Sequence, residues 1–344
     1  MRIFVTGVDG YIGCVLVPRL VAEGHDVVGL DTGFYKDGWL YSDPTHFPVA
    51  AKTLCKDLRT IRSDDLQGFD AVVHLAELSN DPLGANSPEI TQDINHRGSV
   101  RLAEAAKSAG VPRFVYTSSC SVYGLATEDI VSETSEVNPQ TAYARCKVLV
   151  ERDLSKLADE TFCPVYLRNA TAYGPSPRMR FDIVLNNLVG LACVTGKIAM
   201  TSDGTPWRPL VHVKDICNAI SCALTAPVAA VHDQVFNVGC DDENYRILEI
   251  AEFVRRAYPD CEITFGDSSG DNRSYRVNFD KITNELPGFR CAHRADGGAI
   301  ELRDCFRQIQ LDSDRFGFRA FTRLEQLKYL IRTAQIDESF YWVT

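Results

Sequence analysis

Through the first half of the chain, short runs of β-branched and aromatic residues alternate with longer segments whose apolar positions recur every three or four residues. Residues 2–6, 26–31, 71–75, 113–117 and 164–168 read as strands, and residues 11–23, 91–110 and 142–157 read as helices. Strands separated by helices predict an α/β fold, a doubly wound parallel sheet covered on both faces. Such sheets bind ligands beyond the carboxyl ends of their strands. After Arg168, Pro, Gly and Asn interrupt the pattern repeatedly and predict a smaller mixed α/β lobe. The expected division assigns residues 1–170 to the sheet domain, with segments around 205–240 returning to it, and 171–344 mainly to the second lobe. No repeat and no Gly/Ser-rich linker separates the two, so they are expected to enclose a shared cleft. Residues 32–48 carry Phe34, Tyr35, Trp39, Tyr41 and Phe47 without clear periodicity and read as a long ordered loop.

Composition narrows the class. A hydrophobic share of 45% and a charged share of 24% in 344 residues predict a packed globular protein with room for a large domain and a lobe. The net charge of -10 disfavours a nucleic-acid partner, whose phosphates demand a basic surface. No apolar run approaches the roughly 18 residues that span a bilayer, and Met1 and Arg2 lead straight into a strand. No membrane partner and a cytoplasmic location are the expectation. The twelve cysteines form no CxxC pair and no regular interval, so they read as reduced thiols; no Cys/His grouping has metal-ligand spacing.

Chemistry enters at the first strand-to-helix junction. Gly7, Gly10 and Gly13 stand at GxxGxxG spacing, with Tyr11 and Ile12 between the last two. Gly7 permits a tight turn, Gly10 lets the backbone approach a diphosphate, and Gly13 allows close helix–sheet packing, the logic of a Rossmann-type dinucleotide site. The helix N-terminus then offers unpaired N–H groups to the anion. Asp31 ends the second strand, where its carboxylate can accept both hydroxyls of an adenosine ribose. The same carboxylate repels a 2′-phosphate, so the expected cofactor is NAD and not NADP.

A cluster of hydroxyls, Thr117 to Ser119 and Ser121, closes the strand at 113–117, and Tyr143 and Lys147 follow four residues apart on one helical face. An ammonium beside a phenol favours the phenolate and lowers its pKa from roughly 10, at about 1.4 kcal/mol per unit, which makes Tyr143 a general acid–base near neutrality.

With the glycine motif, the hydroxyl cluster and this pair together, the chain resembles the extended short-chain dehydrogenase/reductase family, particularly its NAD-dependent nucleotide-sugar epimerases and dehydratases. The resemblance runs nearly end to end. It takes in Asp57 and Leu58 after the third strand, His74-Leu75-Ala76 after the fourth, Asn95 to Ser99 in the next helix, the Trp207-Arg208 segment and Phe236 to Gly239. It implies that Ser119 orients a substrate hydroxyl, Tyr143 exchanges its proton, and Lys147 binds the nicotinamide ribose. Asp57, Leu58, Leu75, Ala76 and Asn95 become further cofactor contacts. For the substrate, a nucleotide-diphosphate sugar, it points to Ser119, Ser121, Thr171, Asn187, Arg208 and Arg273. Asn186 and Asn187 remain readable as capping or solvated amides. Glu77, where the family commonly has a small residue, is costly unless paired or solvated and stays open between a functional and a salt-bridged role. A homodimer paired through the two long helices is also implied.

The reaction is read from departures. The family's 4,6-dehydratases place Asp-Glu directly after the catalytic hydroxyl, where this chain has Cys120 and Ser121. A 3,5-epimerase would want its cysteine one position later. Epimerisation at C4 through a transient 4-keto sugar needs only Ser119, Tyr143, Lys147 and a retained cofactor. The alternatives are decarboxylation of a sugar uronate, net reduction of a keto-sugar, 3,5-epimerisation and, in another class, a non-catalytic NAD-binding sensor or scaffold.

Overall fold

Side-chain alternation along the strands sets the architecture. In the computed structural model, which describes residues 1–41, 52–79, 87–125, 128–266 and 274–343, twelve strands are present: β1 (Arg2–Thr6), β2 (Asp26–Asp31), β3 (Lys52–Cys55), β4 (Ala71–His74), β5 (Arg113–Ser119), β6 (Cys163–Asn169), β7 (Thr171–Tyr173), β8 (Lys197–Ala199), β9 (Trp207–His212), β10 (Gln234–Val238), β11 (Asn244–Arg246) and β12 (Glu262–Thr264). Seven of them form an all-parallel sheet in the order β3-β2-β1-β4-β5-β6-β10. Successive residues face opposite sides: Ile3, Val5, Val73 and Val115 enter one core, whereas Phe4, Val72, Phe114 and Tyr116 enter the other. Both faces are covered, which is why these strands read as unbroken apolar runs.

The longer helices are α1 (Gly13–Ala22), α2 (Ser99–Ser108), α3 (Ala142–Ser155), α4 (Val184–Thr195), α5 (Val213–Thr225), α6 (Ile247–Ala257), α7 (Ala295–Gln308) and α8 (Arg323–Arg332), of which α1, α2, α3 and α5 cover the sheet. Leu102, Ala103 and Ala106 of α2 and Val150 and Leu154 of α3 close one face, and Leu16, Leu20, Ile216 and Ile220 of α1 and α5 close the other. Each leucine, valine or isoleucine so withdrawn from water stabilises the fold by about 1.5–3 kcal/mol. A three-stranded sheet, β11-β9-β7, and the pair β12-β8 build the mixed lobe, with β9 and β11 antiparallel. Strand order reverses between β1 and β4, and that switch point opens the crevice in which ligands of doubly wound sheets bind.

Two elements differ from the sequence expectation. The helix expected over 91–110 is a continuous run whose middle, Gln92–Gly98, widens into π-helical turns. Tertiary hydrogen bonds accompany the widening, for it carries Asn95, whose amide both donates to and accepts from the backbone of Leu78. The C-terminal end does not stay with the second lobe. Leu327, Leu330, Ile336 and Phe340 pack on Phe34, Leu78 and Ile94 beside the first domain, because the Trp342 indole donates to Thr32 O at 2.7 Å and Arg59 donates to Ser339 O at 2.8 Å. This packing also orders the start of the aromatic loop, while Phe47 lies outside the described residues.

Candidate active site

Glycine shapes the loop between β1 and α1. Gly7 has φ +74°, and a Cβ there would stand 2.9 Å from Ala76 N; at Gly13 a Cβ would stand 2.2 Å from Gly7 O. A side chain at either position would push the loop off β4 or α1 off β1. No side chain caps α1, so its N-terminus faces the crevice as an anion cradle. Tyr11 is tied down by its hydroxyl, which donates to Gly174 O at 2.7 Å. At the end of β2, Asp31 Oδ1 accepts from Gly33 N at 2.8 Å and Oδ2 from Asp9 N at 3.1 Å, which aims the carboxylate along the cleft wall. Gly7, Gly10, Tyr11, Ile12, Gly13, Asp31, Asp57, Leu58, Leu75 and Ala76 all line one cleft of ≈ 1170 Å³. Asp57 is held by Arg59 in an ion pair of 2.8 Å. Asn95 is fully buried and not among the cleft-lining residues; its amide is used on Leu78, so it shapes the wall from behind.

The opposite wall is the carboxyl end of β5. Ser119 starts the short turn Cys120–Tyr123, its hydroxyl accepting from Ser121 N at 3.1 Å. The buried Ser121 Oγ and Asn169 Oδ1 line the cleft with no hydrogen-bond partner, a state that a ligand would relieve. Thr141 caps α3, and that helix presents Tyr143 and Lys147 to the cleft, with Lys147 Nζ 5.3 Å from the Tyr143 ring centre.

Lys147 also meets a group whose role the sequence leaves open. Its Nζ lies 2.6 Å from Glu77 Oε2 and donates to Thr117 O, and Tyr116 donates to Glu77 Oε1 at 2.6 Å. The Glu77 side chain is 2% exposed and the Lys147 side chain 4%. Burial pushes the Glu77 carboxyl up and Lys147 opposes it. Burial pulls the Lys147 ammonium down, but Glu77 outweighs it and leaves the group raised. Tyr116 carries no motif, and only the fold brings it to this pair.

Behind this wall, Arg168 and Ser118 both bind Glu151, the former at 2.6 Å, and Tyr123 donates to Asn237 Oδ1 at 2.7 Å. Asn237, part of a sequence landmark, is thus a framework residue. Thr171, Asn187 and Arg208 line the second-lobe side of the cleft. Asn186 is separated from Asn187 here: buried, it accepts from Gly174 N at 3.0 Å, whereas Asn187 reaches the cleft while donating to Phe181 O. Arg273 lies outside the described residues. Arg180, Asp182 and Arg323 also line the cleft, and sequence reasoning overlooked them. Among the described residues no group of His, Cys, Asp and Glu could hold a metal ion, and no helix is long and apolar enough to cross a membrane.

The NAD dependent epimerase/dehydratase family matches residues 3–239. This chain belongs to that family. Among its relatives is a UDP-glucose 4-epimerase of Mycolicibacterium smegmatis, 33% identical over 247 residues, covering 70% of this chain and 77% of the relative. MoeE5, solved in complex with UDP-glucuronic acid and NAD, is 26% identical with a TM-score of 0.75, covering 90% of this chain and 99% of that one. TunA, an NAD-dependent NDP-hexosamine 5,6-dehydratase of tunicamycin biosynthesis, shares the fold at TM-score 0.78 and 23% identity, covering 89% and 98%.

For a member of an NAD-dependent family, the cradle fits its cofactor: a loop that excludes side chains, an uncapped helix N-terminus, and a carboxylate at the end of β2. The cleft exceeds the about 300–1,000 Å³ of an ordinary small-molecule pocket, leaving room for a second ligand beside a dinucleotide. Burial raises the Asp31 carboxyl to about 6, against the Gly33 and Asp9 amides that favour its ionised form. Ribose hydroxyls donate to that ionised form, so binding favours loss of the proton. NAD affinity is therefore expected to rise with pH through this value and to fall by up to about tenfold per unit below it. Calorimetry across that range giving a flat profile would remove Asp31 from the ribose. NADP is expected to bind more weakly than NAD, with Asp31→Ala narrowing the gap.

Proposed function

We propose that this chain is an epimerase of a nucleoside-diphosphate sugar, inverting the sugar at C4 through a transient 4-keto sugar. The observation that supports it best is the convergence of Ser119, Tyr143 and Lys147 on one cleft with the glycine loop and Arg208, without an added acid–base pair after Ser119. Cys120 in particular is 1% exposed, donates to Arg168 O at 3.1 Å and is pushed up by burial. A thiol so placed does not serve a 3,5-epimerase. The relatives named as UDP-glucose 4-epimerases and the UDP-sugar complex of MoeE5 favour a UDP-sugar substrate.

NAD, when bound, supplies a reversible hydride acceptor beside the sugar. Ser119 Oγ orients the C4 hydroxyl and Tyr143 takes up its proton, then returns it after the keto-sugar has turned. Lys147, fixed by Glu77 and Thr117, places a positive charge next to Tyr143 throughout. Arg208 grips the diphosphate, so the sugar can rotate without leaving. Residues 1–170 with the returning strand β10 hold the cofactor in this reading, and the mixed lobe supplies most substrate contacts. A cytoplasmic homodimer is part of the proposal, its assembly testable by light scattering.

The deciding experiment incubates the protein with UDP-hexoses deuterated at C4. Retention of deuterium in a C4-inverted product of unchanged mass, with no NADH accumulating, is the expected outcome. Loss of water or carbon dioxide, or stoichiometric consumption of NADH, overturns it.

A further inference from the structure

Among the described residues, one buried cation lines the cleft with no acid paired to it. Arg323, the first residue of α8, is 4% exposed yet lines the cleft beside Tyr35 and Arg180. Its Nη1 and Nη2 donate to Ala320 O at 3.0 Å and Arg178 O at 3.3 Å, and its guanidinium lies 4.2 Å from the Tyr35 ring centre. No carboxylate among the described residues forms an ion pair with it. Arg180, its neighbour, is by contrast bridged to Asp182 at 2.9 Å. Burial pulls Arg323 down to about 10, with Arg180 and Arg178 adding to the effect against Tyr35 and Asp182. A desolvated guanidinium in this state calls for an anion.

The position of Arg323 specifies which anion. It donates to the Arg178 carbonyl, the Arg178 amide donates to Ser176 Oγ, and Ser176 Oγ donates to Tyr11 O in the glycine loop, while Tyr35, over whose ring its guanidinium lies, follows Asp31 by four residues in the same loop. Both place it on the cofactor half of the cleft, on the side of the glycine loop. The segment that delivers Arg323 is itself tied to both adenosine-side loops. Gln326 donates to Phe34 O at 2.9 Å and Trp342 to Thr32 O at 2.7 Å, just after Asp31. Arg59 joins Ser339 O to the Asp57 carboxylate, with contacts of 2.8 Å to each.

We propose that Arg323 is a ligand of the cofactor's diphosphate, brought to the cleft by a C-terminal segment that lies beyond the family-matched residues 3–239. The proposal rests on NAD being the occupant of the glycine loop. Guanidinium and diphosphate oxygens pair through short, charge-assisted hydrogen bonds, and the helix N-terminus in the same cleft completes the cradle. The carbonyls that now hold Arg323 set its direction without neutralising it.

The test is calorimetry of nucleotide-free protein with ADP-ribose, adenosine and UDP, on the parent chain, Arg323→Gln and Arg323→Lys. Arg323→Gln is expected to weaken ADP-ribose by about 10- to 100-fold while adenosine and UDP bind as before. Arg323→Lys is expected to fall between. An unchanged ADP-ribose affinity, or an equal loss for adenosine, overturns the proposal; a selective loss of UDP reassigns the residue to the substrate's diphosphate and overturns it too. A parent chain that binds UDP but not ADP-ribose removes the cofactor reading itself, and this inference with it. Thermal melting checks that Arg323→Gln folds. If it does not, Arg323→Lys binding ADP-ribose as tightly as the parent counts against the proposal, and a selective ADP-ribose loss supports it.

Discussion

Tyr143→Phe is expected to lower kcat by about 10²–10⁴-fold and to leave NAD binding intact. The change removes one hydroxyl and nothing else from the cleft wall. Lys147 keeps its partners in the variant, since Glu77 and Thr117 O hold the ammonium independently of the phenol. The ring and its packing on α3 also remain. What is lost is the single group whose place, one turn from Lys147 on the cleft wall that also carries Ser119, suits it to accept and return the C4 hydroxyl proton. KM should change little, because the loss falls on the transition state rather than on the bound sugar. Retention of more than roughly a tenth of the parent rate would show that another group carries the proton, given the size of such effects. Steady-state kinetics on the preferred UDP-sugar, with bound NAD measured on the same sample, separates the two.

What could be read from the sequence was local. The glycine loop, Asp31 and the Tyr143/Lys147 pair are each set by spacing within a strand-turn-helix unit or a single helical turn, and in the structure these residues line the cleft. The parallel sheet was readable for the same reason, because strands buried on both faces leave continuous apolar runs. What the sequence leaves open or hidden is long-range. Glu77 meets Lys147 across 70 positions and Tyr116 across 39, and no periodicity signals either meeting. The family motif includes Asn95, and the fold ties its amide to Leu78, 17 positions earlier. The C-terminal segment looked like part of the second lobe because its helix is ordinary. Its destination is fixed by hydrogen bonds spanning 280 to 310 residues, Arg59 to Ser339 and Trp342 to Thr32. Nothing in the sequence distinguishes Arg323, because an arginine opening a helix is ordinary until its burial is known.

Glu77→Gln is expected to have the second-largest effect, and its signature lies in pH. In the parent, burial alone would pull the Lys147 ammonium down, but Glu77 reverses this and holds it raised. A group whose folded pKa is raised stabilises the fold fully below its unfolded value and ceases to do so as pH climbs through the folded one. Glutamine keeps the shape and can still accept from Tyr116, but it carries no charge to oppose burial. Lys147 in the variant should therefore lose its proton at a lower pH than in the parent. Two outcomes follow. Stability should drop by about 3–5 kcal/mol, the usual cost of leaving one member of a buried ion pair alone, read as a lower midpoint in denaturant. The alkaline limb of the kcat profile should also move to lower pH, since Lys147 can no longer keep a positive charge beside Tyr143 there. Glu77→Asp, which restores the charge on a shorter arm, should recover part of both. A purely structural role for Glu77 would lower stability while leaving the position of that alkaline limb unmoved, and such a result would take Glu77 out of the proton-transfer machinery.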